Sequence, residues 1–403
     1  MSDTATGTPG HPFSRLLLLC FGLIGVFAFL QVYSVQAILP LLLQDFQASV
    51  VQVGNTVGAT VLAVALTSPF VGMLSDAIGR KKIIVGSLLF LAIPTGLIAA
   101  TDSIQLLTLL RFLQGLAVPG ITVVTIAYIG EEFRGKDMTR MMSAYVAGTV
   151  LGGFLGRFLL GHLVEWMDWR SAFLVMSALT VCGALLVWRI LPRSRRFVAN
   201  RHLHSSLQTL GSHLRNPAVL TACAVGFCIL FSLVGGFTYI NLHLSATPYH
   251  FSTADLANVF AVYLLGVVIT PISGKILPLL GARKTILIAM SISVLGLLLT
   301  LLPAAWMIIV ALAIMSCGIF ITQSSTISFI AHRVPTGRSL ASGLYYMGYY
   351  AGGSVGAWVC GLACTAGAWP LTVAVILVAQ LLSLVLVFWL MPPPAQAATL
   401  RQH

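Results

Sequence analysis

Charge is what this chain has least of. Asp, Glu, Lys and Arg make up 8% of its 403 residues, against roughly 25% in soluble domains. Hydrophobic residues reach 58% and the mean hydropathy is +0.98. A soluble chain with so few charges would not stay dispersed, so the composition describes a polytopic membrane protein. Acids are the scarcest charges, 10 against 22 Lys and Arg, and none falls in the middle of an apolar run. The net charge of +12 does not point to nucleic acid. Its cations are scattered over short loops, with no basic stripe interleaved with aromatics.

Paired thiols and metal-ligand spacings are missing too. Cys20, Cys182, Cys223, Cys228, Cys317, Cys360 and Cys364 all lie in apolar runs, without a Cys-x-x-Cys pair or a His/Cys pattern. They read as small buried apolar side chains. His202, His204 and His213, in the longest polar stretch, have neither regular ligand spacing nor nearby acids. No metal, no cofactor and no enzyme chemistry is therefore expected. A transport-dead membrane sensor is the remote alternative, and it would normally append a soluble domain, which this reading does not find. No cleavable signal peptide is expected either, because the first apolar run lasts from Leu16 past Pro40, beyond an h-region.

Long apolar windows are what the chain has in abundance. A helix needs about 20 residues to cross roughly 30 Å of hydrocarbon, and twelve windows qualify: 16–43, 50–74, 82–101, 105–130, 140–164, 171–192, 217–243, 253–276, 284–302, 305–331, 338–364 and 369–391. The expected fold is an all-α membrane protein of twelve transmembrane helices. Residues 1–192 form one six-helix bundle, 193–216 a basic central loop and 217–403 a second bundle. Lys and Arg fall in alternate loops, leaving only Arg170 on the other side. Basic loops stay cytoplasmic, which places both termini and the central loop inside and requires an even number of crossings.

The two halves repeat. Gly148, Gly152, Gly153, Gly156 and Gly161 reappear as Gly348, Gly352, Gly353, Gly356 and Gly361 at an offset of 200 without a gap. Gly72, Gly79 and Lys82 correspond to Gly274, Gly281 and Lys284 at an offset of 202. Parallel six-helix repeats about an axis along the membrane normal are a transporter plan.

Between the second and third windows runs Gly72-Met73-Leu74-Ser75-Asp76-Ala77-Ile78-Gly79-Arg80-Lys81-Lys82. Its glycines allow a tight turn and its cations hold it at the cytoplasmic surface. These residues resemble the signature loop between helices two and three of the major facilitator superfamily. The resemblance extends over roughly residues 15 to 392. Arg111-Phe112-Leu113-Gln114-Gly115 matches the family's fourth-helix motif, and the glycines of the fifth window resemble the fifth-helix motif of the drug:proton antiporter branch. It implies a bacterial inner-membrane efflux protein of the drug, sugar and siderophore type. Such a protein acts as a monomer by alternating access and exports a small organic molecule in exchange for protons. The alternative is proton-coupled uptake of an organic anion.

Site residues follow from both lines of reading. Arginine inside a bilayer costs on the order of 3 kcal/mol or more, so Arg111 and Arg157 must face a cavity or a partner. Neither has a counterpart in the second half, where offset 200 lands on Ala311 and Ala357. Asp45 is the nearest acid, and the pair Asp45 and Arg111 is expected to carry the coupling proton. The glycine stripe of the fifth window is expected to form a sliding interface between the halves. Substrate-lining candidates are Arg157, Gln31, Tyr33, Gln36, Gln114, Tyr239, Asn241, Gln323, Tyr345 and Tyr349. By the resemblance, Gly72, Asp76, Gly79 and Arg80 form a conformational latch. Asp76 meets the start of the eleventh helix, and Arg80 meets Glu131 or Glu132. Asp76→Asn is expected to keep expression and lose transport. Wild-type flux in that variant would reduce the loop to a folding element.

Overall fold

The computed structural model describes residues 12–194, 213–334 and 338–391. Most of the expected central loop lies outside these. Nine helices among the described residues are long and apolar enough to cross a bilayer, and a bent pair, Arg15–Leu30 with Ser34–Asp45, makes a tenth. Two runs are too long for one crossing, Thr253–Leu299 with 47 residues and Ala341–Leu390 with 50. Each holds a non-helical break, at Gly281 (φ 74°) and at Gly367–Ala368 (φ −151° and 53°). Counting each as two crossings is consistent with twelve. Gly79, at φ 106°, makes the corresponding turn between the second and third spans. Both turn glycines thus occupy left-handed backbone that a side chain would strain.

The remaining spans are Val50–Ile78, Arg80–Leu97, Ile104–Glu132, Gly135–Leu163, Trp169–Ile190, Pro217–Ser245 and Ala305–Arg333. Four of the helices that begin at the Arg170 end carry side-chain caps. Ser49 and Gln52 form a capping box, as do Ser252 and Asp255. Ser103 and Asp168 each accept from the backbone N–H three residues on. The Ser171 hydroxyl and amide, 2.6 and 3.0 Å from Asp168, hold that carboxyl below its usual range. Many large apolar side chains point outward, among them Phe70, Leu109 and Trp389, while several Gln and Thr side chains and Arg111 and Arg157 are buried beside an apolar core. An apolar exterior suits a lipid solvent.

Within the first half the first span packs on the fifth and the second on the fourth. Within the second half the seventh packs on the eleventh and the eighth and ninth on the tenth. The glycine stripe explains the first of these contacts. A Cβ at Gly148, Gly152 or Gly156 would meet the carbonyls of Gly22, Val26 and Leu30 at 2.1, 2.2 and 1.9 Å. In the repeat, Gly352 and Gly356 press on Phe227 and Phe231 in the same way. These stripes therefore bind helices inside each half, and the expected sliding interface is not there. Backbone-to-backbone contact is what small residues permit when no aqueous hydrophobic effect drives association.

The halves meet through other glycines. Gly54 and Gly58 of the second span face Tyr239, Ser354 and Ala357, and Gly161 faces Thr253 and Ala257. Polar contacts between halves among the described residues cluster at the Arg170 end, where Ala254 N donates to Glu165 at 3.2 Å and Gln36 reaches Thr238. Gly152→Val should lower stability by about 1–3 kcal/mol through overpacking, whereas Gly130→Ala, with open space around its Cβ, should be neutral. Thermal unfolding of both variants in detergent checks the contrast.

Candidate functional site: two buried guanidinium groups

The first span breaks. Its helix ends at Leu30, resumes as a 3-10 turn at Ser34–Ile38 and continues from Leu39 to Asp45, with Pro40 near the start of that last piece. Broken helix leaves carbonyls without their N–H partners, which hydrocarbon cannot replace. Arg111 supplies the donors. It is fully buried and donates to the carbonyls of Gln31 (2.6 Å), Val32 and Thr56 (3.2 Å), and to Gln114 Oε1 (2.6 Å). Gln114 in turn donates to Thr95 at 2.6 Å, and Gln31 to Met176 O and Thr180 at 3.2 and 3.1 Å. Arg111, Gln31 and Gln114 are thus one network inside the first half.

The expected pair of Asp45 and Arg111 does not form. Asp45 Oδ2 accepts from Trp169 Nε1 at 2.9 Å and from Arg170 at 3.0 Å. Arg111 holds carbonyls at residues 31 and 32, whereas Asp45 lies fourteen residues further on, roughly 20 Å at the helical rise. The acid ties the far end of the first span to the sixth.

Arg157 sits in an aromatic cage. Its Cζ lies 4.7, 4.4 and 4.6 Å from the ring centres of Tyr33, Phe260 and Tyr263. Each such contact is worth about 0.5–2 kcal/mol, the upper end when desolvated. Its Nε donates to Gln36 Oε1 at 2.8 Å and its Nη1 to Gly153 O at 2.6 Å. Two rings come from the other half, so this guanidinium spans the interface between the halves. Gln36 completes the crossing by donating to Thr238 at 2.8 Å. Pro40 has no N–H for the carbonyl four residues back. That orphaned oxygen, on Gln36, accepts from Asn241 Nδ2 at 2.8 Å.

Of the predicted lining residues, the structure brings Tyr33, Gln36, Asn241 and Arg157 into one constellation. Tyr239 instead fills a notch between Gly54 and Gly361 and donates to Ala357 O. Tyr345 and Tyr349 stack at 5.9 Å within a run of tyrosine contacts, and Tyr345 packs on Gly226 of the seventh span. Gln323 is half-buried on the tenth span with no hydrogen bond among the described residues. Phe260, Tyr263 and Thr238 were not anticipated. In the stretch 253–276 the first two are the lone aromatics and lie three residues apart, which is the signal that could have found them.

At the basic-loop end Arg80 forks onto Glu131, with Nε to Oε2 at 3.1 Å and Nη2 to Oε1 at 2.5 Å, and also donates to Ser75. Such two-point pairing is the strong form of a carboxylate contact. Glu132 takes Ser194 instead, at 2.7 Å, so Glu131 is the partner of Arg80. The side chain of Asp76 lies outside the described ones, as does the surface around Gly72. Truncating Arg111 would leave the Val32 carbonyl and Gln114 Oε1 buried without the donor that now reaches them, at about 1–3 kcal/mol each, whereas Gln31 O keeps the Ser34 hydroxyl and Thr56 O that of Thr60. Arg111→Ala should therefore lose stability on the order of 3 kcal/mol or more, seen as a lower melting temperature than Arg157→Gln.

A model of the Major Facilitator Superfamily matches residues 21–339 and 246–402. The inner membrane transport protein YnfM of Escherichia coli is 35% identical over 350 residues, 87% of this chain and 83% of that protein. The chloramphenicol resistance protein CraA of Acinetobacter baumannii is 28% identical over 267 residues, 63% of this chain and 61% of its own. Among solved structures, a bacterial homologue of the human lysosomal transporter Spinster, inward-facing and unoccupied, superposes with a TM-score of 0.77. Its sequence identity is 16%, and the match covers 94% of this chain and 97% of that one. With a family model across nearly the whole chain and a relative of this similarity, the protein belongs to the Major Facilitator Superfamily of membrane transporters.

Proposed function

We propose that this transporter exports a small organic molecule in exchange for protons, from the cytoplasm across a bacterial inner membrane. Caged Arg157 is the observation that supports the reading most. It is a fixed positive charge between the two halves, ringed by aromatic faces and hydrogen-bonded to Gln36. A ligand oxygen that takes over one of its contacts would loosen the link through Gln36 to Thr238. Substrate binding and separation of the halves then become one event, as alternating access requires. The resemblance to drug exporters read from the fifth-helix glycines, and the likeness to a protein named for chloramphenicol resistance, support efflux.

Proton coupling is assigned to Asp45, now opposite Arg170 rather than Arg111. Protonation removes the ion pair and frees the far end of the first span from the sixth. In this reading the basic loops and both termini are cytoplasmic, the latch of Arg80 and Glu131 lies at the inner surface, and the protein acts as a monomer. The second reading, uptake of an organic anion with protons, is favoured by two buried guanidinium groups without a carboxylate partner among the described residues.

Everted vesicles energised to be acid inside separate the two readings. Organic anions, neutral siderophores, sugars and cationic drugs are added singly while a dye follows the pH gradient. Efflux predicts substrate-driven proton release that Asp45→Asn abolishes and Arg157→Lys weakens at least tenfold in apparent affinity. Normal transport by Asp45→Asn under a pH gradient would remove that residue from coupling. Substrate and protons leaving the vesicle together would assign uptake.

A further inference from the structure

Beyond the central site, a cleft of about 770 Å³ opens at the basic-loop end, between the third and sixth spans and beneath the turn at Gly79. Lys81, Lys82, Arg189 and Arg193 line it, and none of the four makes an ion pair among the described residues. Such a concentration of charge is more than a topology signal requires, since those cations could be spread around the rim. Its inner wall is apolar, formed by Val85, Leu89 and the exposed ring of Trp188. The wall continues down the same two helices through Phe90 and Leu185, which are also exposed. Cations therefore stand at headgroup height, with a greasy track below them that runs into the hydrocarbon.

We infer that this cleft binds one anionic phospholipid of the leaflet next to the basic loops. Its phosphate lies among Lys81, Lys82, Arg189 and Arg193, and an acyl chain lies along Leu89 and Trp188. Charge complementarity selects an anion, and the apolar track selects a lipid over a free phosphate. Basic residues at an anionic surface contribute roughly fivefold in affinity each, so four converging cations discriminate an anionic from a zwitterionic headgroup. The cleft also touches both parts of the latch region. Gly79 and Arg80 form one edge, and Ser194, bonded to Glu132, forms another. An occupied cleft thus buttresses the arrangement in which Arg80 holds Glu131.

Purified protein in detergent is titrated with phosphatidylglycerol or phosphatidylcholine, and bound lipid is counted by native mass spectrometry. The expected result is one tightly retained phosphatidylglycerol, and Lys82→Gln/Arg189→Gln/Arg193→Gln should weaken it roughly a hundredfold. A control that removes equal charge elsewhere at the same end, Arg134→Gln/Lys136→Gln/Arg140→Gln, should retain it. Equal loss in both triple variants overturns the site in favour of diffuse attraction. Equal retention of phosphatidylcholine overturns the charge argument. Glycerol phosphate competing as well as the whole lipid overturns the lipid in favour of a soluble anion. Circular dichroism and size-exclusion profiles of the triple variants keep misfolding from being read as lost binding.

Discussion

Broken helix in hydrocarbon is the constraint on which the rest of this structure depends. Carbonyls freed at residues 31, 32 and 36 of the first span have no water to turn to. Arg111 takes the first two, and Asn241 from the opposite half takes the third. A buried guanidinium that meets only neutral dipoles would ordinarily be an expensive arrangement. Here the groups it satisfies would be costly on their own, so each solves the other's desolvation. The consequence is a first span held in a bent shape, with Gln36 presented to the second half and Tyr33 to Arg157.

Glycine packing divides the molecule into what is rigid and what can part. Contacts through Gly148, Gly152 and Gly156 bring backbones to a distance that no intervening side chain could share. Such contacts cannot slide without lifting the helices apart. The contacts between halves run more through side chains than through backbone: the second span packs along the eleventh, Gly54, Gly58 and Gly161 face Tyr239, Ala357 and Ala257, and a few hydrogen bonds gather at one end. Motion that keeps the first set and breaks the second moves each half as a unit. That is the motion a rocking transporter needs.

Spans, turns and the internal repeat were legible in the sequence because each is written by a local property. Apolar length marks a crossing, and a glycine at each of two corresponding positions marks a left-handed turn, as Gly79 and Gly281 both make. Arg111 and Arg157 were legible as buried cations for the same reason. Their partners were not. An acid was expected for Arg111, whereas the structure gives it main-chain oxygens, which no residue type announces. The break that frees those oxygens lies eight to nine residues before Pro40, the one local sign of it. The glycine stripe was misplaced for a related reason. Spacing says that two backbones touch, but it cannot say whether the second helix belongs to the same half.

Asymmetry between the repeats carries the last step of the argument. Arg157 corresponds to Ala357, and that alanine accepts the Tyr239 hydroxyl at its carbonyl and lies against Gly54 and Gly58. One half therefore contributes charge to the interface, and the other contributes a smooth notch at the equivalent position. In return the second half supplies Phe260, Tyr263, Thr238 and Asn241, the rings and polar groups that complete the site around Arg157 and Gln36. Placing the cation in one repeat and its neutral cage in the other gives a site that exists only while the halves are together. Any ligand that competes for that cation consequently acts on the contact between them.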